Sequence, residues 1–218
     1  YHLPIFRSLI YQMDNSNAKS DDENIPLNLQ RLFAMMQLRI RPSVPTKELT
    51  KSFGWTDRET YMQHDIQEFC RIILDNLEKK MNKQPDLKDA ISTLYRGEMR
   101  SRIEGVEVDY ETTKNDYFYD LSMTVKDTSS LEESFSKYIE PEIINDYETL
   151  QYGKQEIRKR IEFLQFPPVL YIHLRRFEYD PQRQDMIKIN SRFAYNESID
   201  LSQFMADDAA DPDDQIFD

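Results

Sequence analysis

The sequence predicts an α+β fold, and three observations carry the prediction. From Leu3 to Met81 apolar residues recur at steps of three and four, the period of helices with one buried face. From Tyr95 the texture changes to alternating segments rich in Tyr, Phe, Ile and Val, which is the habit of strands. Helices come first and strands later, an order that argues against an array of βαβ units.

Residues 3–11 are apolar and helix-like. After a polar loop at 14–24, Pro26 stands where a first helical turn tolerates proline, and Leu29, Leu32, Phe33 and Met36 follow at helical spacing. A helix is therefore predicted over 26–38. Pro42 and Pro45 break the chain, and 46–55 make a short helix and turn. Over 62–81 the residues Ile66, Phe69, Cys70, Ile73, Leu77 and Met81 form one stripe, predicting a long helix with a buried face that Pro85 ends. Strands are predicted at 95–103, 106–110 and 117–125, then a helix at 131–139 and a polar stretch around 147–154. Two further strands, 169–177 and 186–193, flank a turn at 180–184. The Asp-rich run 207–214 reads as a solvated loop, and 215–218 as the start of a strand.

Forty acidic residues against 28 basic ones give 218 residues a net charge of −12. That balance argues against a nucleic-acid surface, which collects Lys and Arg, and favours a basic or mixed-charge protein partner. No run approaches the roughly 20 apolar residues of a membrane-spanning helix. The single cysteine excludes an internal disulfide and a Cys-rich zinc site, and suits the cytoplasm or nucleus. The chain opens on Tyr1 inside an apolar stretch, as a piece of a longer protein would.

A thiol nucleophile needs a base within hydrogen-bond reach. Along one helix His64 and Cys70 stand about 120° apart around the axis and about 9 Å apart along it, so they form no dyad. Cys70 belongs to the apolar stripe and is expected to be buried. His173 reads as a core histidine within an apolar strand. Asp65 and Glu68, at i and i+3, flank the stripe. They are either a solvated helix edge or a paired-carboxylate site for a guanidinium. Trp55, beside Gly54, is either a binding-loop aromatic or a core one. The Asp-rich run lacks the spaced ligands, central Gly and closing Glu of a calcium loop. Taken alone, these patterns describe a soluble acidic α+β domain with no assembled active site, and they do not name its function; a generic acidic protein-interaction domain is one reading of them.

A resemblance adds to this. Leu49-Thr-Lys-Ser-Phe-Gly-Trp55, the pattern Gln63-x-Asp65-x-x-Glu68-Phe69, Tyr95-Arg96-Gly97, Phe166-Pro-Pro-Val-Leu170, His173-Leu-Arg-Arg-Phe177 with Tyr179-Asp-Pro-Gln182, and Ile187-Lys-Ile-Asn-Ser-Arg-Phe193 resemble ubiquitin-specific proteases of peptidase family C19. The herpesvirus-associated branch is the most similar, and the likeness runs to about Met205. It implies a papain-like fold arranged as a partial hand: thumb helices over 1–94, β fingers over 95–165, palm strands over 166–206, and an acidic loop leading into a strand over 207–218. Many relatives carry a zinc ribbon in the fingers. No cysteine stands there in this sequence, so neither metal nor cofactor is expected. The family's nucleophilic Cys, in a Gly-x-Thr-Cys-Tyr-type segment, and its oxyanion-hole Asn would lie upstream of Tyr1, and its base His and orienting Asp or Asn beyond Asp218. No catalytic residue is then expected in this chain, and the chain alone is expected to be inactive.

By the same resemblance the parent is a thiol-dependent deubiquitinase hydrolysing isopeptide bonds at the ubiquitin C-terminus, with ubiquitin and ubiquitinated proteins as partners and neither nucleic acid nor membrane among them. Ubiquitin's C-terminal tail is rich in arginine, which weights Asp65 and Glu68 towards gripping it. Gln63 and His64 join them as ubiquitin-binding positions, Phe177 and Tyr179 line the tail channel, and Trp55 borders a loop that rearranges on binding. The alternative is a non-catalytic ubiquitin-binding or scaffold protein that keeps the fold without the chemistry.

Overall fold

Pro4 fixes the first turn of helix α1 (Pro4–Gln12), which buries Ile10. The carbonyls at its C-terminal end would be orphans, and Gln30 of α2 (Ile25–Leu38) reaches across to satisfy them, its Nε2 donating to Ile10 O at 2.7 Å and Met13 O at 2.8 Å. The computed structural model describes residues 1–16, 24–38, 43–55, 65–209 and 216–217. These fall into two units, Tyr1–Thr93 and Leu94–Asp218.

In the first unit α2 buries Ile25, Leu29 and Phe33, and the short α3 (Lys47–Lys51) buries Leu49. The long helix α4 (Ile66–Met81) follows, then a single 3₁₀ turn (Pro85–Leu87) and α5 (Ala90–Tyr95). The predicted helix over 62–81 is confirmed from Ile66, and 62–64 lie outside the described residues. Its buried face is shorter than the stripe. Leu77 and Met81 are fully buried, Ile73 and Cys70 are half-buried, and Ile66 is 57% exposed. Periodicity marks which way a face points, whereas burial also needs a neighbouring element along the whole length.

The second unit is built on a four-stranded antiparallel sheet in the order β2-β1-β5-β4: β1 (Gly97–Gly105), β2 (Glu111–Phe118), β4 (Glu142–Thr149) and β5 (Gly153–Gln165). Between β2 and β4 come β3 (Leu121–Thr124) and helix α6 (Leu131–Ile139), the latter at the residues the sequence predicts. β3 pairs in parallel with β6 (Ile172–Arg175). Hairpin β7 (Phe177–Asp180) and β8 (Asp185–Lys188) follows, and then β9 (Ile199–Asp200) pairs with β10 (Ile216–Phe217). Phe135 of α6 and Phe163 of β5, both fully buried, meet Phe118, Phe166 and Phe204 in an aromatic core.

Several predicted strands are corrected. Residues 106–110, with their Val-x-Val alternation, are the β1–β2 turn: Gly105 N donates to Tyr110 O at 2.8 Å, and a Cβ on Gly105 would fall 2.5 Å from Val108 O. The 117–125 segment is two strands, because the chain leaves one sheet at Tyr119–Asp120 to pair with β6. The polar stretch around 147–154 is the hairpin joining β4 and β5, its charged side chains standing on the open face of the sheet. The 169–177 run becomes β6 and the start of β7, split at Arg176, whose N–H turns back to Leu174 O at 2.8 Å. Strand β8 occupies 185–188, so the second half of the predicted 186–193 strand is not strand. Asp208, read as solvated, is ion-paired with Arg100.

Candidate functional site

The N-terminus of α4 places both predicted grip carboxylates. Asp65 is not on the helical face, as its i,i+3 spacing with Glu68 suggests, but is the N-cap, with φ −70° and ψ 123°. Its Oδ1 accepts from Gln67 N at 2.7 Å, satisfying one of the donors a helix start leaves open. Glu68 is three positions on, the place of the acidic partner in a capping box. Its carboxylate nevertheless makes no hydrogen bond or ion pair with any described residue. Both acids are exposed. Both negative charges lie at the positive end of the helix dipole. Asp-x-x-Glu before an apolar run was the signal that identifies Asp65 as a cap. Gln63 and His64 lie outside the described residues.

Rings brace this helix start. Trp55 stacks on Phe53 with centroids 5.2 Å apart, and both rings tilt against Phe69, at 5.9 and 5.1 Å. Trp55 is half-buried. Its cluster ties the turn at Gly54, where φ is +73°, to the residue that follows Glu68. The turn and the first turn of α4 are thus held as one element.

In the second unit Phe177 and Tyr179 alternate outward from β7 and are 61% and 58% exposed. Opposite them in register stand Lys188 and Met186, so the outer face of the hairpin carries two aromatic rings and a thioether. Glu178 points to the other face and pairs with Lys126 at 2.8 Å. Asp180 Oδ1 holds the turn by accepting from Gln182 N at 2.8 Å.

The remaining candidates assemble no catalytic centre among the described residues. Cys70 is half-buried rather than buried, since cover on α4 thins towards its N-terminus, and the thiol makes no hydrogen bond to a described residue. His173 lies 3.4 Å from Ser122 Oγ across the β3–β6 pair, and His2 meets Tyr1 edge-on. No three His, Cys, Asp or Glu side chains converge as a metal ion would require among the described residues. No helix in them is long and apolar enough to cross a membrane.

The ubiquitin carboxyl-terminal hydrolase family matches residues 1–216. The chain belongs to that family. Among similar proteins, ubiquitin carboxyl-terminal hydrolase 7 of Drosophila melanogaster is 41% identical over 210 residues, 95% of this chain and 18% of that protein. Ubiquitin carboxyl-terminal hydrolase 15 of Saccharomyces cerevisiae is 40% identical over 206 residues, 93% of this chain and 16% of that protein. Ubiquitin C-terminal hydrolase 12 of Arabidopsis thaliana is 41% identical over 206 residues, with 93% and 18% covered. The chain thus spans less than a fifth of the length of these relatives. A chain in the SAGA Ubp8/Sgf11/Sus1/Sgf73 DUB module bound to ubiquitin aldehyde superposes with a TM-score of 0.81 at 19% identity, over 96% of this chain and 50% of that one. The fold is that of the ubiquitin-specific proteases.

Proposed function

We propose that this chain is the ubiquitin-gripping part of a thiol-dependent deubiquitinase of the cytoplasm or nucleus. The observation that carries the reading is the pair of exposed carboxylates at the α4 N-terminus, Glu68 without a described partner and Asp65 with Oδ2 unused, in a chain of this family. Two anions on a rigid helix start suit the guanidinium groups of the ubiquitin tail. The exposed rings of Phe177 and Tyr179 suit the aliphatic part of an extended peptide. A fold neighbour, one chain of a DUB module bound to ubiquitin aldehyde, supports the same partner.

The chemistry would come from a cysteine and a histidine outside Tyr1–Asp218. The thiolate attacks the carbonyl carbon at the ubiquitin C-terminus, the protonated amine leaves, and water hydrolyses the resulting thioester. Full-length protein should release fluorophore from a ubiquitin–fluorophore substrate, and the 218-residue chain should not. If full-length protein binds ubiquitin yet neither turns over the substrate nor reacts with a ubiquitin C-terminal electrophile, the non-catalytic scaffold reading replaces this one.

A further inference from the structure

The β1–β2 turn and the β4–β5 hairpin lie side by side at one end of the four-stranded sheet, and two hydrogen bonds tie them together. Val106 N donates to Glu156 O at 3.0 Å, and the Tyr152 hydroxyl donates to Asp109 O at 3.2 Å. The hairpin turn is fixed from within. Thr149, itself buried, accepts at Oγ1 from Tyr152 N and donates to Gly153 O, both at 3.0 Å, and Gly153 supplies the left-handed residue with φ +67°. The Leu150 side chain takes no part in this. It stands wholly in solvent, on tips where Tyr152 and Val106 are also exposed. Turns favour Gly, Asn, Asp and Ser, so nothing in the turn geometry asks for a leucine at this position. Single exposed apolar residues are ordinary on a protein surface, but three on two tips held rigidly together make a patch.

Negative charge surrounds it. Glu107 and Asp109 stand on one tip and Asp146, Glu148 and Glu156 on the other, all exposed, and none forms an ion pair with a described residue. Lys154 is the one basic residue in 104–111 and 145–157. The patch is therefore apolar at its centre with a rim of uncompensated carboxylates, whereas the arginines further along β1 and β5 are paired with Glu162, Glu111 and Asp208.

We propose that the paired tips are a docking surface for a segment of a protein partner that presents an apolar side chain between lysines or arginines. Leu150 and the edge of Tyr152 take the apolar side chain, and the carboxylates attract and orient the cations. Like charge disfavours a second copy of this chain, nucleic acid or an anionic lipid surface as the occupant. None of Asp65, Glu68, Phe177 and Tyr179 belongs to this surface, so it stands apart from the proposed grip.

The test is fluorescence anisotropy of dye-labelled Lys-Lys-Leu-Lys-Lys with full-length protein at low salt, beside the same peptide with serine in place of leucine. The leucine peptide should bind more tightly, and Leu150→Ser should weaken it about tenfold while leaving the serine peptide unchanged. Glu107→Gln with Glu148→Gln should weaken both peptides about threefold. Glu140→Gln with Glu142→Gln makes the same change in net charge at the far end of β4 and should weaken them less. Leu150→Ser should melt with wild type and titrate ubiquitin with wild-type affinity. Equal binding of the two peptides, an unchanged leucine peptide in Leu150→Ser, or equal losses from the two charge pairs would each overturn the proposal. So would a lowered melting temperature, which would make Leu150 part of the fold, or weaker ubiquitin binding, which would make the tips part of the grip.

Discussion

Replacing Asp65 perturbs two things at once, and the structure shows how to separate them. Asp65→Ala removes both the cap on Gln67 N and a carboxylate facing solvent. Loss of an N-cap costs about 1 kcal/mol, within a range of roughly 0.5–2, whereas Asn caps about as well as Asp. In a domain of this size each 1 kcal/mol corresponds to roughly 2–4 °C in melting temperature. Asp65→Ala should therefore melt a few degrees below wild type, and Asp65→Asn close to it. Glu68→Gln forfeits only its interaction with the helix dipole, about 0.3–1 kcal/mol. For binding, a hydrogen bond to a charged group contributes roughly 1.5–3 kcal/mol. Neighbouring effects are not additive, so Asp65→Asn with Glu68→Gln should weaken ubiquitin binding by about 2–4 kcal/mol, or roughly 30- to 700-fold in Kd. The assay is ubiquitin titration of full-length protein by calorimetry beside a melting curve for each variant. Unchanged affinity in the doubly neutralised protein would refute the grip. Equal melting of Asp65→Ala and Asp65→Asn would refute the cap.

Three further outcomes are expected. Leu77→Ala and Phe163→Ala remove fully buried side chains and should cost about 2–5 and 3–5 kcal/mol in urea unfolding, while Ile73→Ala, half-buried, should cost less; equal losses at Ile73 and Leu77 would contradict the burial gradient along α4. A ubiquitin C-terminal electrophile added to full-length protein should leave Cys70 unmodified in peptide mass spectra, and an adduct there would show that this thiol has a base. Arg100 holds the Asp208 carboxyl below the usual 3.8, the Ser202 hydroxyl does the same for Asp200, and the Ser129 N–H and hydroxyl hold Glu133 below 4.5. Because folded-state values are depressed, their stabilisation is present above the unfolded values and is lost as pH falls through the folded ones, so melting temperature should drop below about pH 4 and drop less in Asp208→Asn.

Much of the helical unit was legible because its signals are local. Pro4 and Pro26 in first turns, and apolar steps of three and four, locate α1, α2 and α4 without reference to anything distant. The sheet was less so. β5 carries Lys, Arg and Glu on one face and Ile157 and Phe163 on the other, and a strand whose open face is this charged looks like a polar loop. Val106 to Tyr110 fails in the opposite direction: its alternation is strand-like, but Gly105 reverses the chain there. Ion pairs such as Arg100–Asp208, 108 positions apart, leave no trace in any local pattern. The family resemblance pointed to Asp65 and Glu68 as candidates, and the spacing, read as a shared helix face, concealed that Asp65 is the cap.

That difference bears on how the proposed grip would work. A carboxylate on a flexible loop loses conformational freedom when it binds a guanidinium, and the loss subtracts from affinity. Asp65 has already surrendered that freedom, because one oxygen is committed to Gln67 N and the backbone around it is fixed by the helix it starts. Its second oxygen is thereby aimed before any ligand arrives. Glu68 sits on the same first turn, and Phe69 beside it is gripped by Trp55 and Phe53. In the proposed grip the cap and the aromatic cluster would be parts of the binding site, since they hold two exposed acids as a preorganised pair.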